Sequence, residues 1–153
     1  MKDRLINKNP IRRHDILEIY TDGASRGNPG PAAWAYIFVR DGEIIYQNSE
    51  YIGEATNNTA EYIAIIKAIQ EAQKYTRWTI KVYSDSELVI KQINKDYRIK
   101  KEHLSELCEK VSSLCHKFEK VEFFNVGREN RYIKICDKMC EECLNRFKVK
   151  SKK

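Results

Sequence analysis

Leu17-Glu18-Ile19-Tyr20-Thr21 runs directly into Asp22-Gly23-Ala24-Ser25-Arg26-Gly27-Asn28-Pro29-Gly30-Pro31, and the reading of this stretch decides the fold. Its first five residues alternate as a half-buried strand does; the next ten are rich in Gly, Asn and Pro, which break strands. A strand therefore delivers Asp22 to a loop. Downstream, residues 33–39 and 43–52 read as two more strands, and Asp41-Gly42 between them predicts a tight antiparallel hairpin. From Asn58 to about Lys74 the period turns helical, with Tyr62, Ile65, Ile66 and Ile69 on one face. A fourth strand is expected at 79–83, a short helix from Ser84-Asp85-Ser86-Glu87 to about Ile93, and a longer helix from about Lys101 to Phe118. A strand at 121–126 and a helix around 135–147 complete the order β-β-β-α-β-α-α-β-α, an α/β domain with a mixed sheet.

At 153 residues the chain suits one domain that buries roughly 68–70% of its unfolded surface without staples. Apolar residues make up 42% and charged residues 33%, too apolar for disorder and too polar for a membrane chain. The N-terminal stretch lacks the apolar run of a signal peptide, so a cytoplasmic location without membrane contact is expected. Three parts are expected: a basic extension at 1–15, the domain at 16–147 and a basic tail at 148–153. The formal charge of +6 is uneven: residues 1–16 carry +3, residues 145–153 carry +5, and the body between carries −2. The sum suggests an anionic partner, and the tails would attract it by salt-dependent, sequence-independent contacts.

Five cysteines, Cys108, Cys115, Cys136, Cys140 and Cys143, do not form a disulfide framework in such a chain. Cys140-x2-Cys143 has zinc-like spacing but no partner pair. Cys136, Cys140 and Cys143 fall on one helical stripe, which reads as buried reduced thiols.

The acids carry the chemistry. If strands 17–21 and 79–83 lie parallel and adjacent, Asp22 and Asp85 share the carboxyl edge of the sheet, where open α/β sheets place ligands. Glu61, in the first turn of the preceding helix, can lean over that edge, and Asp137 near the start of the last helix could complete a ring. Converging carboxylates repel unless cations neutralise them, and oxygen ligands without His or Cys select Mg²⁺, with Mn²⁺ as the other candidate. Two such ions suit attack of water on a phosphodiester. Each acid also has a bland reading. Asp22 before Gly23 fits a turn, Asn58-x-x-Glu61 and Ser84-x-x-Glu87 fit helix caps, and Asp137 fits an exposed helical position.

Three segments resemble type 1 ribonuclease H: Tyr20-Thr21-Asp22-Gly23-Ala24 with Gly27-Asn28-Pro29-Gly30-Pro31, then Thr56-Asn57-Asn58-Thr59-Ala60-Glu61, then Tyr83-Ser84-Asp85-Ser86. The similarity spans about residues 16 to 147. It implies a ribonuclease H-like fold with a five-stranded sheet ordered 3-2-1-4-5 and flanked by helices. It also implies hydrolysis of the RNA strand of RNA/DNA hybrids, two Mg²⁺ ions, and Asp22, Glu61, Asp85 and Asp137 as metal ligands. Neither an obligate protein partner nor an oligomer is implied, so a monomer is expected. The family's Asn-x-x-Ala-Asp entry to the last helix is altered here. The helix-start Asn corresponds to Asn130, seven residues before Asp137, which implies an extra turn over Arg131–Ile135, with Glu141 as the alternative ligand. Where relatives often carry a His before that helix, this chain has Arg128, suited to a phosphate. The long basic handle of some relatives is missing, since only Asn94–Lys101 separates the middle helices.

A hybrid is told from DNA by the 2′-hydroxyls of its RNA strand. By the resemblance, Gly23, Ser25, Asn28, Asn57, Asn58 and Arg128 are the substrate contacts, with Glu87 standing where relatives often have Gln. The competing readings are a catalytically silent hybrid-binding module of the same fold and an adaptor that binds a protein through the cysteine-bearing helix.

Overall fold

The computed structural model describes residues 10–151, with side chains described as far as Lys148. Five strands and four helices alternate along it: β1 (Ile16–Ser25), β2 (Gly30–Arg40), β3 (Glu43–Ala55), α1 (Asn57–Ala72), β4 (Thr79–Ser84), α2 (Glu87–Ile93), α3 (Glu102–Cys115), β5 (Lys120–Asn125) and α4 (Arg131–Ser151). The sheet has the order β3-β2-β1-β4-β5, as the resemblance implied. The first three strands are antiparallel; β1, β4 and β5 are parallel. The β2–β3 hairpin turns at Asp41 and Gly42, both with positive φ (51° and 79°), which gives the backbone twist a two-residue hairpin requires.

The loop expected from Asp22 onward is much shorter than its composition suggests. β1 continues to Ser25 and β2 starts at Gly30, with Asp22 opposite Ala35 and Ser25 opposite Ala32. Pairing along β2 outweighs the local turn preference of Gly and Ser, so Asp22 sits inside a strand.

Strand alternation divides the core between the two faces. Along β2, Trp34, Tyr36 and Phe38 point to one side, while Ala33, Ala35, Ile37 and Val39 point to the other. The first side packs under α1 and α3, where Ile65 and Ile69 are fully buried beside Leu17, Ile19, Ile80 and Val82. Each such isoleucine contributes roughly 1.5–3 kcal/mol by leaving water. The second side lies under α4, whose Cys136, Cys140 and Leu144 face Ala33 and Ala35. Small residues on both surfaces let α4 approach the sheet closely. The five thiols are unpaired and four are buried, as expected of small hydrophobes, and burial pushes the Cys140 thiol up.

Residues 10–15, which composition groups with the basic extension, pack onto the domain. Ile11 joins the core, and Arg40 donates to the Pro10 carbonyl (3.2 Å) and to Asp15 (2.9 Å). Residues 1–9 lie outside the described part. At the other end α4 continues to Ser151, past the expected boundary at 147; residues 152–153 are also outside the described part. Among the described residues no helix is long and apolar enough to cross a membrane.

Candidate active site

β1 and β4 run parallel in the register Thr21 opposite Ser84, so the next residue of each chain, Asp22 and Asp85, emerges at the same edge. Asp85 occupies the single residue between β4 and the cap of α2. The turn is held from several sides: the Ser84 carbonyl accepts from Val126 N (2.9 Å) and from the Asn125 amide (3.1 Å), and Ser84 Oγ accepts from Ser86 N (3.0 Å). Ser86 Oγ then caps α2 by accepting from Val89 N. The cap expected at Ser84 therefore lies two residues later, and Asp85 stands outside the capping pattern.

Glu61 comes from α1. That helix is capped by Thr56, whose hydroxyl accepts from Thr59 N, and not by an Asn58–Glu61 box. Glu61 is consequently free of the cap and points under the sheet edge, where Oε1 accepts from Gly23 N at 3.0 Å. The approach is so close that a Cβ on residue 23 would lie 2.2 Å from the Ala60 backbone. Only glycine lets α1 and β1 meet here. The Gly23 amide is thereby engaged inside the protein, so it is not among the backbone groups left for a ribose.

Asp22, Glu61 and Asp85 each bring a carboxylate oxygen within 4.8 Å of the others. Asp22 and Glu61 are buried and Asp85 half-buried. Burial raises the pKa of all three, and the neighbouring carboxylates raise it further; Asp22 is pushed up to about 8. Arg128 acts the other way, with Nε 3.9 Å from Asp85 Oδ2, but its side chain is 90% exposed and the relief is partial.

A cavity of about 320 Å³ opens over these acids. Asp22, Gly23, Asn57, Glu61, Asp85, Ser86 and Arg128 line it, and α4 contributes Ile133, Lys134 and Asp137. Asp137 is exposed and stands on the wall, outside the tight triad. Its position follows from the start of α4: Asn130 Oδ1 accepts from Tyr132 N (2.9 Å) and Ile133 N (3.2 Å), so the helix begins at Arg131 with the expected extra turn. Glu141, one turn further on, does not line the cavity.

The other expected contacts divide. Asn57 and Arg128 reach the cavity wall. Asn28 and Asn58 do not; Asn28 Oδ1 accepts from Asn57 N at 3.1 Å and so sets the entrance to α1. Ser25 Oγ donates to the Ala55 carbonyl (2.7 Å) and also lies against the carbonyls of Gly27 and Gly30, closing the β1–β2 loop from within. Glu87 is exposed on the first turn of α2, away from the cavity wall. Four lining residues, Ala24, Ser86, Ile133 and Lys134, are not among the expected site residues. Ser86 stands only within the segment that carries the resemblance, and Lys134 looks like any solvated helical lysine.

The donor set suits hard divalent cations. The three clustered ligands are all oxygen, they are buried against their mutual repulsion, and Arg128 offers them the one ion pair seen within 4.0 Å among the described residues. A parallel β1–β4 pair presenting clustered carboxylates at its carboxyl edge defines a class: α/β domains with an acidic site at a sheet edge. Comparison with known proteins narrows it. A family model described as RNase H matches residues 14–142, and the chain belongs to that family. Ribonuclease HI of Halobacterium salinarum is 47% identical over 78 residues, covering 50% of this chain and 39% of that protein. The bifunctional protein Rv2228c of Mycobacterium tuberculosis is 34% identical over 112 residues, covering 72% of this chain and 31% of that one. The chain therefore aligns with well under half the length of these two relatives. Among solved structures, RNase H1 from Halobacterium salinarum superposes with a TM-score of 0.82 at 34% identity, covering 86% of this chain and 98% of that one. LC11-RNase H1, solved in complex with an RNA/DNA hybrid, gives 0.79 at 32% identity, covering 85% and 97%.

Proposed function

We propose that this protein is an endoribonuclease that hydrolyses the RNA strand of RNA/DNA hybrids with two divalent cations, Mg²⁺ or Mn²⁺, leaving 5′-phosphate and 3′-hydroxyl ends. The observation that carries this reading is the meeting of Asp22, Glu61 and Asp85, from three separate elements, within 4.8 Å beneath an open cavity. Family membership and the likeness to an RNase H1 solved with a hybrid support it.

In this reading Asp22 and Asp85 would serve both cations, while Glu61 and Asp137 would each serve one and position water. The ions, when bound, supply positive charge for the phosphoryl oxygens and a water nucleophilic near neutral pH. The protein's own residues do the rest. Gly23 fixes Glu61 through its amide. Ser84, Ser86 and Asn125 hold the Asp85 turn. Arg128 places an exposed guanidinium beside Asp85, where it can meet a phosphate. Asn57 on the wall faces the hybrid, whose RNA-strand 2′-hydroxyls offer both donors and acceptors, and Asn28 fixes the Asn57 backbone behind it. We place the catalytic domain at 16–147, with residues 10–15 packed onto it and α4 running on to Ser151, in the cytoplasm and acting as a monomer.

The exposure of Asp137 favours one competing reading, a hybrid-binding module without activity. Cleavage of matched hybrid, double-stranded RNA and DNA by purified protein, with and without Mg²⁺ or Mn²⁺, separates the two. Metal-dependent cut of the hybrid alone is expected. Binding without cleavage at any metal concentration would establish the module, and an active Asp22→Asn would sink the mechanism.

A further inference from the structure

The wall of the cavity contributed by α4 carries a cation that the proposed chemistry does not use. Lys134 lines the same cavity as the four acids. It sits three residues before Asp137, hence on the same helical face one turn nearer the N-terminus. It reaches that position because α4 starts at Arg131 under the Asn130 cap; its backbone amide donates to the Asn130 carbonyl at 3.0 Å. Without the extra turn there would be no helical residue at this height on the wall.

Helix stability does not account for a lysine there. The first turn of α4 has no acidic residue, and a cation beside a helix N-terminus opposes the helix dipole. Nor does an ion pair account for it. Among the described residues, no carboxylate lies within 4.0 Å of the Lys134 ammonium, although four line the same cavity. Its side chain is exposed to the cavity and free to take another partner. With Arg128 it forms the cationic part of an otherwise acidic wall. Once cations neutralise the carboxylates, this part meets whatever anion occupies the 320 Å³ space.

We propose that Lys134 is a substrate-binding residue whose ammonium takes a phosphate oxygen of the RNA strand next to the cleaved bond. This rests on the hybrid-nuclease reading. It gives the extra turn of α4 a purpose: the turn lifts a phosphate ligand to the height of the rim, on a chain that lacks the longer basic handle.

The test measures binding without turnover. A fluorescently labelled hybrid is titrated with Asp22→Asn and with Asp22→Asn/Lys134→Ala in Mg²⁺ at several KCl concentrations. Loss of one phosphate contact should flatten the slope of log affinity against log salt by about 0.7–0.9. The affinity lost between about 50 and 200 mM salt then becomes roughly threefold smaller in the double variant. Lys134→Arg should restore the slope, since a guanidinium also binds phosphate. Thermal melting of Lys134→Ala should be unchanged or slightly raised, which a structural role would not produce. An unchanged slope, or Arg failing where Lys succeeds, overturns the proposal. So does a change in Mn²⁺ affinity by calorimetry with hybrid binding intact. If Asp22→Asn itself fails to bind hybrid, the hybrid-nuclease reading falls and takes the Lys134 contact with it; normal binding with an unaltered slope removes only the contact.

Discussion

The floor and the wall of the cavity are built on opposite plans. On the floor, Asp22, Glu61 and Asp85 come from β1, α1 and the turn after β4, and each is fixed by elements that also form the core. Glu61 is tied to Gly23, and the Asp85 turn is tied to Ser84, Asn125 and Val126. On the wall, Asp137, Lys134 and Arg128 come from α4 and the loop before it, and all three are exposed. The fold thus ties down and buries the charges that must be held together against repulsion and leaves those on the wall exposed. In a low-dielectric floor each charge interacts strongly with the others, while on a solvated wall each is screened. Changes to the floor should therefore be severe and coupled, and changes to the wall graded.

The largest expected effect is on turnover. Asp22→Asn removes a buried floor acid, and the loss of a group worth several kcal/mol of charge stabilisation corresponds to at least about 10³-fold in rate. Single-turnover cleavage at saturating enzyme measures it; a loss below tenfold would place Asp22 with the wall.

Next comes the dependence of stability on pH and metal, and its sign follows from the raised pKa values. A carboxyl whose folded pKa of about 8 exceeds its unfolded value near 3.8 holds a proton in the folded state after the unfolded chain has lost it. Its stabilising contribution is complete below about pH 4 and is lost as pH climbs toward 8, with a slope of up to about 1.4 kcal/mol per unit for one proton. Glu61 and Asp85 shift in the same direction. In EDTA the melting temperature should fall from pH 5 to pH 8, Mg²⁺ or Mn²⁺ should restore more of it at pH 8 than at pH 5, and Asp22→Asn should flatten both trends. Rising metal-free stability over that range would contradict the floor as described.

Gly23→Ala tests the packing beneath the floor. The new Cβ meets the Ala60 backbone at 2.2 Å, and since backbone cannot step aside, about 3 kcal/mol or more of stability should be lost, at the upper end of overpacking costs. Urea unfolding measures this. A cost under 1 kcal/mol would mean that α1 can withdraw from β1, and the floor would be less rigid than its contacts imply.

The same contrast governs what could be read from the sequence. Floor residues were legible because short local motifs deliver them and one topological rule, parallel β1 beside β4, brings them together. The local details were less legible. Asn58-x-x-Glu61 and Ser84-x-x-Glu87 have capping-box spacing, yet the caps are Thr56 and Ser86, because spacing does not reveal where the backbone leaves extended geometry. The Gly- and Pro-rich run after Asp22 has a loop's composition, but pairing with β2 carries β1 on to Ser25. Asn28 Oδ1 accepts from Asn57 N and Ser25 Oγ donates to the Ala55 carbonyl, internal contacts between residues about 30 apart that no local spacing announces. On the wall, Asp137 and the extra turn were readable from the displaced Asn130. Lys134 was not, since nothing in a sequence separates a lysine facing a cavity from one facing water.

Asp137→Asn sets the boundary between floor and wall. Asp137 lines the cavity but lies outside the 4.8 Å cluster and is exposed, so its charge is screened and its contribution smaller than that of Asp22. A rate loss of about 10–100-fold is expected, equivalent to roughly 1.4–2.8 kcal/mol, together with a higher Mg²⁺ concentration for half-maximal rate. Glu141→Gln, altering an acid one turn beyond the wall, should change the rate by less than about twofold, within the reach of a solvated surface charge. A loss in Asp137→Asn as deep as in Asp22→Asn would mean that α4 closes onto the triad when metal and substrate bind, so that the wall becomes floor. A larger effect at Glu141 than at Asp137 would place the fourth acid one turn later on α4. The depth of the Asp137 loss, set against those of Asp22 and Glu141, therefore measures how far the last helix takes part in holding the metals.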